Sequence, residues 1–435
     1  MPTLNIAIVG LGTVGTGVAK VLLNHADRIE RRSGHRIRLK RAVVRDLNKP
    51  RELSLPDNIL TDNVQDVIDD DSIDIAVQLM GGTEPAREVM LALLKSGKDV
   101  VTANKALIYE HGDELFQTAR DLGRVIAFEA SVCGGVPIIA GIGQSLAANQ
   151  ICSIEAILNG TSNFILTGMF AERKSYNDMV REAQQQGYAE ADPSMDVDGT
   201  DAAQKLVILS QLAFGTKAST SQFTVRGIDT LELADLLYAD ELGYAVKLLA
   251  VAKLSDGELE LHVCPTLIRK DRPLAGIDSV YNRVAIEGDV IGTTWFSGMG
   301  AGQMATASAV LADLIDVAIG RAKLTFSQLD LWHDHPPVPI KPVENVESRY
   351  YFRFNVDDRP HVLADIADVL GRHQISIASI MQHEVPEIEQ AACASTVPLV
   401  VMTHRTSEGQ IQAAETELDQ LACQHPPRVR MAVAD

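Results

Sequence analysis

Short apolar runs alternate with amphipathic helical patterns over the first 130 residues of the chain. A short apolar run bounded by turn residues is typical of a buried strand, and an apolar period of 3.6 residues is typical of a helix. Strands are predicted at 4–9, 37–44, 73–79, 99–101 and 124–128. Strands that alternate with helices in this way predict a parallel sheet covered by helices.

The middle of the chain has a different pattern. Residues 131–297 mix apolar helices with β-branched segments such as 259–263 and 283–286, which predicts an α+β domain. Residues 298–320 return to a helical pattern that is rich in glycine and alanine. Because small side chains permit close approach, we expect 298–330 to pack back on the first domain.

Four prolines between Pro336 and Pro342 mark a linker at 331–347, since proline sustains neither a helix interior nor a central strand. After the linker, the pattern predicts strand, helix, strand, strand, helix and strand at 350–356, 361–373, 375–384, 398–403, 410–423 and 428–433. This is the ferredoxin-like order. The predicted fold class is α/β, with a Rossmann domain at 1–130, an α+β domain at 131–297 and a ferredoxin-like domain at 348–435.

Composition and charge exclude several classes of protein. A chain of 435 residues is too long to fold around one hydrophobic core. No apolar run approaches the roughly 20 residues of a membrane span. The N-terminus shows no signal peptide, so we expect a soluble cytoplasmic protein. A net charge of -19 disfavours nucleic acid and anionic membranes as partners. The five cysteines are scattered without a C-x-x-C pair, which predicts reduced thiols rather than disulfides or a zinc site.

A glycine-rich turn follows the first predicted strand. Residues 10–15 are Gly-Leu-Gly-Thr-Val-Gly, which matches G-x-G-x-x-G between a strand and a helical pattern. Glycines let the backbone turn tightly and approach a pyrophosphate, whose charge is met by the N–H groups at a helix N-terminus. The candidate cofactor residues are Gly10, Gly12, Thr13, Val14 and Gly15. The alternative is a glycine-rich turn that binds no ligand.

The second predicted strand ends at Arg45 and Asp46, where a Rossmann unit contacts the adenine ribose. An acid at this position favours NAD, whereas an arginine can pair with the 2′-phosphate of NADP. Since phosphate recognition by guanidinium requires the charge, Arg45 favours NADP with NAD tolerated. A solvated charge pair without a ligand remains the alternative. Thr83, after the strand predicted at 73–79, is a further candidate cofactor residue.

Five acidic residues gather between Glu190 and Asp201 in one predicted loop that starts at Gly187, and they should attract a cation. A calcium loop can be aligned through Asp196, but its twelfth position would be Lys205 rather than the required glutamate. We therefore discard calcium. A substrate that carries an ammonium group fits this segment better.

A helix is predicted at 200–214, with Asp201 in its first turn and Lys205 one turn later. At 100° per residue, these two residues share one helix face with Ile208 and Leu209. A lysine on an apolar face should be partly desolvated, which favours proton transfer to the oxygen of a carbonyl that accepts hydride. An ordinary ion pair at positions i and i+4 remains the alternative.

These motifs together resemble those of homoserine dehydrogenase. The resemblance rests on residues 10–15, Thr-Ala-Asn-Lys at 102–105, the segments 129–137 and 159–164, and residues 187–205. The C-terminal segment 350–433 resembles the ACT regulatory fold. Because no aspartate kinase segment precedes the first strand, we expect the monofunctional form.

The resemblance implies a reaction and a role for each matching residue. The family interconverts L-aspartate 4-semialdehyde and L-homoserine with NAD(P)H in threonine, methionine and isoleucine biosynthesis. Lys205 would exchange the proton, with Asp201 beside it and Lys105 close to nicotinamide and substrate. Glu190 and Asp196 would hold the amino-acid end. Gly160 and Thr161 would line the substrate pocket, and Gly302 would lie near the cofactor. A structural sodium ion would be bound by the backbone carbonyls of Glu129, Val132, Gly134 and Val136.

Other functions and properties stay open. Cys133 could be the nucleophile of an aldehyde dehydrogenase, although we expect a small packed residue. Two further alternatives are another NAD(P)-dependent dehydrogenase of a small amino-acid-like substrate and a nucleotide or amino-acid sensor without turnover. The resemblance implies an amino-acid effector such as threonine for the ACT-like domain. Its turn has Arg359-Pro360-His361 where Pro-Gly is usual, which leaves threonine inhibition open because a histidine adds a Cβ and a ring. An interaction module is the alternative role for this domain. We expect a homodimer or homotetramer.

Overall fold

The computed structural model describes residues 2–51, 53–331, 336–383 and 396–434. Packing divides the chain into two units. The first unit holds Met1–Ser153, Gln204–Ala218 and Tyr281–Val338, and the second holds Ile154–Ala203, Ser219–Val280 and Pro339–Asp435. None of the described helices combines the length and the apolar character needed to cross a bilayer.

The first unit is built on a parallel sheet of six strands. They are β1 (Thr3–Val9), β2 (Arg36–Val43), β3 (Leu60–Thr61), β4 (Ile75–Gln78), β5 (Asp99–Thr102) and β6 (Ile126–Ala127). Their order in the sheet is β3-β2-β1-β4-β5-β6, with β1 in the centre. Ile6, Ala7 and Ile8 are fully buried, since helices cover both faces of a parallel sheet.

The helices of the first unit begin with α1 and α2 after the glycine-rich turn. Their bounds are α1 (Thr13–Asn24), α2 (Ala26–Ser33), α3 (Gln65–Ile68), α4 (Ala86–Lys95), α5 (Lys105–Asp121) and α6 (Ile138–Ala140). Residues Glu129–Ser131 form a 3₁₀ turn and Gly141–Ser145 a π turn. The strands lie close to the predicted ranges, although β6 has two residues where five are predicted.

The second unit contains a largely antiparallel sheet. Its strands are β7 (Ile151–Ile157), β8 (Thr224–Val225), β9 (Tyr244–Ser255), β10 (Glu258–Arg269), β13 (Glu347–Asp357), β14 (Ile377–Met381), β15 (Thr396–Thr403), β16 (Thr406–Ser407) and β17 (Gln424–Ala434). The order is β7-β9-β10-β17-β13-β15-β14. β9 and β10 form a hairpin through Asp256 and Gly257, whose φ angles of 53° and 80° suit a type I′ turn.

The helices of the second unit carry most of the candidate substrate residues. They are α7 (Gly160–Glu172), α8 (Tyr176–Gln185), α9 (Ser194–Val197), α11 (Leu233–Glu241), α14 (Val362–Arg372) and α15 (Glu408–Leu418), with 3₁₀ turns at Thr220–Gln222 and Val343–Asn345. Helix α10 (Thr200–Phe214) starts in the second unit and continues into the first. The acidic segment 187–201, expected as a loop, contains the short helix α9, which is a correction to the prediction.

The late part of the chain returns to the first unit. Strands β11 (Tyr281–Gly288) and β12 (Gly292–Met299) form a hairpin, and helices α12 (Gln303–Ala318) and α13 (Ala322–Leu331) follow. Helix α12 packs on α1, where Gln303 Nε2 donates to the Thr13 carbonyl over 3.0 Å and Gln303 lies against Gly17.

The C-terminal elements β13, α14, β14, β15, α15 and β17 follow the predicted ferredoxin-like order and enclose their own core. Residues 332–335 of the predicted linker and 384–395 lie outside the described residues. The described part of the linker is extended at 336–342. The Pro339 carbonyl accepts the N–H of Leu259, and the N–H of Lys341 donates to the Leu259 carbonyl. β17 pairs in parallel with β10 and antiparallel with β13, so the C-terminal sheet continues into the sheet before it.

Candidate active site

The turn at 10–15 is shaped by its glycines. Gly10 has φ +108°, and a Cβ there would lie 2.8 Å from the Leu79 carbonyl carbon. A Cβ on Gly15 would overlap the carbonyl oxygen of Gly10. Gly12, in contrast, faces open space within 4 Å. Two glycines are therefore required by packing, and the third leaves room for a pyrophosphate above the N-terminus of α1.

Gly302 precedes α12 in the same unit. Its φ of +112° belongs to a region that side chains rarely adopt. The residues that follow it hold α12 against α1, as the bond from Gln303 to Thr13 shows. This packing supports the helix whose N-terminus faces the glycine turn.

Arg45 and Asp46 lie exposed after β2. The Asp46 carboxylate accepts the backbone N–H of Asn48 over 2.8 Å, and the Asp46 carbonyl accepts from Arg51 over 2.6 Å. Asp46 thus shapes the local turn. Thr83 is half-buried and lies three residues before α4, and its carbonyl accepts the backbone N–H of Arg87.

Lys105 is the first residue of α5, directly after the carboxyl end of β5. Asn104 caps this helix by accepting the Leu107 N–H over 3.1 Å, and it donates to the carbonyls of Met80 and Gly82. These bonds tie the start of α5 to the segment after β4. Lys105 is consequently a half-buried lysine at the carboxyl edge of the parallel sheet, where ligands of open α/β sheets bind.

Asn159 forms hydrogen bonds with two of the acidic residues that the sequence analysis names. Its Nδ2 donates to Asp196 Oδ1 and to Asp201 Oδ2, each over 2.8 Å, while its Oδ1 caps α7 by accepting the Ser162 N–H. Thr161 donates to the Tyr188 carbonyl over 2.8 Å. The carboxylates of Asp196 and Asp201 therefore lie together at the N-terminus of α7, next to Gly160 and Thr161.

Glu190 does not join this cluster through the hydrogen bonds of the described residues. Its side chain is exposed, and its carbonyl accepts from Gln184 Nε2 over 3.2 Å. The sequence prediction grouped Glu190 with Asp196, and the structure brings together only Asp196 and Asp201 through Asn159.

Lys205 lies one turn after Asp201 on α10, on the same side of the helix. It is half-buried, and its neighbours along the face, Ile208 and Leu209, are 4% and 0% exposed. The predicted partly desolvated environment is therefore observed, and the helix bounds match the prediction.

The segment from Glu129 to Val136 is held by buried carboxylates. Glu129 accepts the N–H groups of Ile139 and Ala140 over 2.9 and 2.8 Å, and its own N–H donates to Asp313 Oδ2 over 2.9 Å. Burial raises the pKa of Glu129 to about 7 and the pKa of Asp313 well above its usual range. Gly134, with φ +48°, lies so close to Gly300 that a Cβ would be 2.5 Å from its carbonyl oxygen.

The described side chains form no metal site, because no three His, Cys, Asp or Glu side chains are grouped there as a metal site requires. Cys133 is buried, and its sulfur is contacted by Asn282 Nδ2 at 3.6 Å. Burial of this side chain fits the small packed residue that the sequence analysis expects.

Sequence reasoning missed the residues that organise these groups. Asn159 had a usable signal, because an asparagine before a glycine at the end of an apolar strand is a common helix cap. Asp313 had none, since it contacts Glu129 across 184 residues.

A parallel sheet with a glycine turn of this geometry is typical of a dinucleotide-binding protein, and comparison with known proteins narrows this class. Residues 10–129 match the NAD-binding domain of homoserine dehydrogenase, 137–315 match homoserine dehydrogenase, and 350–423 match the ACT domain. The chain belongs to the homoserine dehydrogenase family and is an NAD(P)-dependent oxidoreductase.

Individual relatives cover almost the whole chain. The homoserine dehydrogenase of Pseudomonas aeruginosa is 42% identical over 100% of this chain and 99% of its own length. The crystal structure of a homoserine dehydrogenase from Thiobacillus denitrificans is 40% identical, covers 100% of this chain and 99% of that one, and superposes with a TM-score of 0.88. A hyperthermophilic archaeal homoserine dehydrogenase in complex with NADPH is 28% identical, covers 73% of this chain and 98% of that one, and has a TM-score of 0.63.

Proposed function

We propose that the protein catalyses the reversible reduction of L-aspartate 4-semialdehyde to L-homoserine with NAD(P)H. The observation that carries this proposal is the pair of carboxylates that Asn159 joins, Asp196 and Asp201, because Asp201 lies one helical turn before the half-buried Lys205. The carboxylates suit the ammonium end of an amino-acid substrate. The lysine suits the carbonyl end. The product would enter threonine, methionine and isoleucine biosynthesis.

Each residue has a role in this proposal. Bound NAD(P)H supplies the hydride. Lys205 donates a proton to the substrate oxygen as negative charge develops there, and its ammonium stabilises that charge. Asp201 orients Lys205, and Lys105 contributes a second positive group from the edge of the parallel sheet.

Substrate binding is assigned to the N-terminus of α7 and its surroundings. Asp196 and Glu190 hold the substrate ammonium, and Gly160 and Thr161 line the pocket. Asp196 is fixed by Asn159 and by Ser162, which donates to its carbonyl over 2.6 Å. Glu190 is exposed, so its part in this proposal requires the side chain to turn toward the ligand.

The test measures NADPH oxidation with aspartate semialdehyde in the wild type, Lys205→Met and Lys253→Met. Lys253 is an exposed lysine of β9, so its variant controls for the loss of one charge. We expect Lys205→Met to lose most of kcat, by about 10²-fold or more, while binding NADPH with unchanged affinity. Wild-type turnover in Lys205→Met would refute its role. If the wild type binds NADPH but turns over no substrate, a sensor function would be favoured over an enzyme.

For the cofactor we propose NADP, with NAD tolerated. The residues fit a dinucleotide because Gly12 leaves open space, while Gly10 and Gly15 let the backbone turn closely. Thr13, Val14, Thr83 and Gly302 complete the binding surface. Arg45 is exposed after β2, while Asp46 is engaged in its local turn, so the guanidinium is the group that can approach a 2′-phosphate.

We propose a structural sodium ion on the carbonyls of Glu129, Val132, Gly134 and Val136. Across the part of the chain that the structure describes, the carbonyls of Val132 and Gly134 accept no hydrogen bond. Free carbonyls beside the buried carboxyls of Glu129 and Asp313 suit a monovalent cation. We expect a higher Tm in sodium chloride than in tetramethylammonium chloride at equal ionic strength, and equal values would contradict the site.

A homo-oligomer is proposed from an apolar surface on the β11–β12 hairpin. Val290 and Ile291 at its turn are 77% and 57% exposed, and Trp295 is 40% exposed. An exposed apolar patch of this kind is typical of a subunit interface. Sedimentation of Ile291→Asp should show smaller particles than that of Leu324→Asp, a variant of an exposed leucine on α13. Identical sedimentation would contradict this interface.

Three further assignments complete the proposal. The domain division is 1–130 with 298–330, 131–297, a linker at 331–347, and 348–435. The ACT domain is assigned an amino-acid effector, with threonine disfavoured by His361. The four described cysteines are free thiols, which supports a cytoplasmic location that cell fractionation can check.

A further inference from the structure

Lys247 of β9 is a buried lysine outside the proposed catalytic groups. It is 3% exposed, and the flanking residues Val246 and Leu248 are buried. Burial lowers the pKa of Lys247, because a charged group is costly away from water. A lysine is retained at such a position only where its ammonium is fully hydrogen-bonded.

The three N–H groups of the Lys247 ammonium meet three acceptors. Nζ contacts Asn163 Oδ1 at 3.0 Å, the carbonyl oxygen of Ile277, and Asp278 Oδ1 at 3.4 Å. Asn163 is on α7, whereas Ile277 and Asp278 belong to the loop before β11. Lys247 therefore joins α7 to this loop.

Asn163 and Thr167 hold the same loop from the α7 side. Asn163 Nδ2 donates to the carbonyls of Ile277 and Ser279 over 3.0 and 2.9 Å. Thr167 Oγ1 accepts the Ser279 N–H over 3.3 Å. Ser279 has φ +60°, a conformation that a serine adopts only when its surroundings fix it.

The loop held in this way ends against the N-terminus of α7. A Cβ on Gly160 would lie 2.7 Å from the carbonyl oxygen of Val280. Gly160 is the first residue of α7, and Thr161 follows it. A displacement of 277–280 would consequently change the space around both residues.

We propose that Lys247 is a positioning residue for the substrate, which it serves by clamping the segment 277–280 against the N-terminus of α7. The inference rests on the proposed function, because it takes Gly160 and Thr161 as substrate-lining residues. Lys247 is not among the residues assigned to contact substrate or cofactor. Its loss changes the shape of the pocket rather than the chemistry of proton transfer.

The test compares Lys247→Met, Thr167→Val and Lys253→Met by steady-state kinetics in both substrates. Lys253→Met is the matched control, since it makes the same change on the same strand at an exposed position. We expect Lys247→Met to raise KM for aspartate semialdehyde about tenfold, with KM for NADPH unchanged within about twofold, because lost positioning weakens substrate binding alone.

Thr167→Val keeps the proposal testable if Lys247→Met fails to fold, because it removes one bond to the same loop at similar volume. We expect a rise in the semialdehyde KM of about threefold and faster hydrogen exchange at 277–280. Proportional rises in both KM values, or a lower Tm with unchanged kinetics in both variants, would overturn the proposal. Absence of turnover in the wild type would instead contradict the proposed function.

Discussion

Replacing Arg353 by methionine removes the positive half of a buried ion pair between β13 and α11. Arg353 Nε and Nη2 contact the two carboxylate oxygens of Asp235 at 2.7 and 3.1 Å, and the two side chains are 2% and 0% exposed. Without the guanidinium, Asp235 keeps the hydroxyl of Tyr351 at 3.1 Å and the N–H of Glu232 at 2.9 Å.

The loss of one partner from a buried pair costs about 3–5 kcal/mol. Since two donors to Asp235 remain, we expect a loss at the lower end of this range. Arg353→Met should lower the free energy of unfolding by about 3 kcal/mol. The double variant Arg353→Met with Asp235→Leu should cost less than the sum of its single variants by about 1 kcal/mol or more, because no buried charge is left alone.

Urea unfolding at pH 7, followed by circular dichroism, measures these differences through the transition midpoint and slope. Glu172→Gln is the control, since it breaks an ion pair with Lys174 whose side chains are 47% and 39% exposed. We expect that change to stay within about 0.5 kcal/mol. The reasoning is refuted if Arg353→Met costs less than about 1 kcal/mol, or if the double variant is additive.

Three other variants test the cofactor site, the ACT domain and the thiols. Arg45→Ala should raise KM for NADPH by about tenfold and leave KM for NADH within about twofold, whereas equal effects in steady-state assays would contradict NADP preference. His361→Gly should increase inhibition by L-threonine, since His361 has φ +76° where glycine is unstrained, and an unchanged inhibition curve would refute this. In a Cys393→Ala background, an aromatic disulfide reagent at pH 8 should titrate Cys152 alone in the native protein. Burial raises the pKa of Cys264 to about 11, and Cys133 and Cys423 are also buried, so fast release of more than one equivalent would contradict the burial pattern.

Local patterns predicted helices and strands well where the buried positions of the structure follow the period of the apolar residues in the sequence. β1 has an apolar run and β2 begins with an alternation of charged and apolar residues, and α10 has the predicted bounds because its apolar face and acidic first turn coincide. β3 was not predicted, since two residues give no period. The parallel contact between β10 and β17 joins Thr266 to Ala432, and no local pattern carries such a distant pairing.

The candidate site was predictable where one helix or turn contains the residues. The glycine turn and the spacing of Asp201 and Lys205 are local features. The hydrogen bonds of Asn159 to Asp196 and Asp201 span 37 and 42 residues, so only the folded chain shows that this amide organises the acids. Asp313 meets Glu129 across 184 residues for the same reason. The roles of individual residues stay predictions.

The position of β17 between β10 and β13 bears on any attempt to shorten this protein. Removal of the C-terminal segment would strip β10 of its neighbour along Thr266, Leu267 and Ile268, the last two of which are fully buried. A bare apolar strand edge recruits other chains. A truncated enzyme that lacks the ACT domain would therefore aggregate, unless polar substitutions on β10 protect the newly exposed edge.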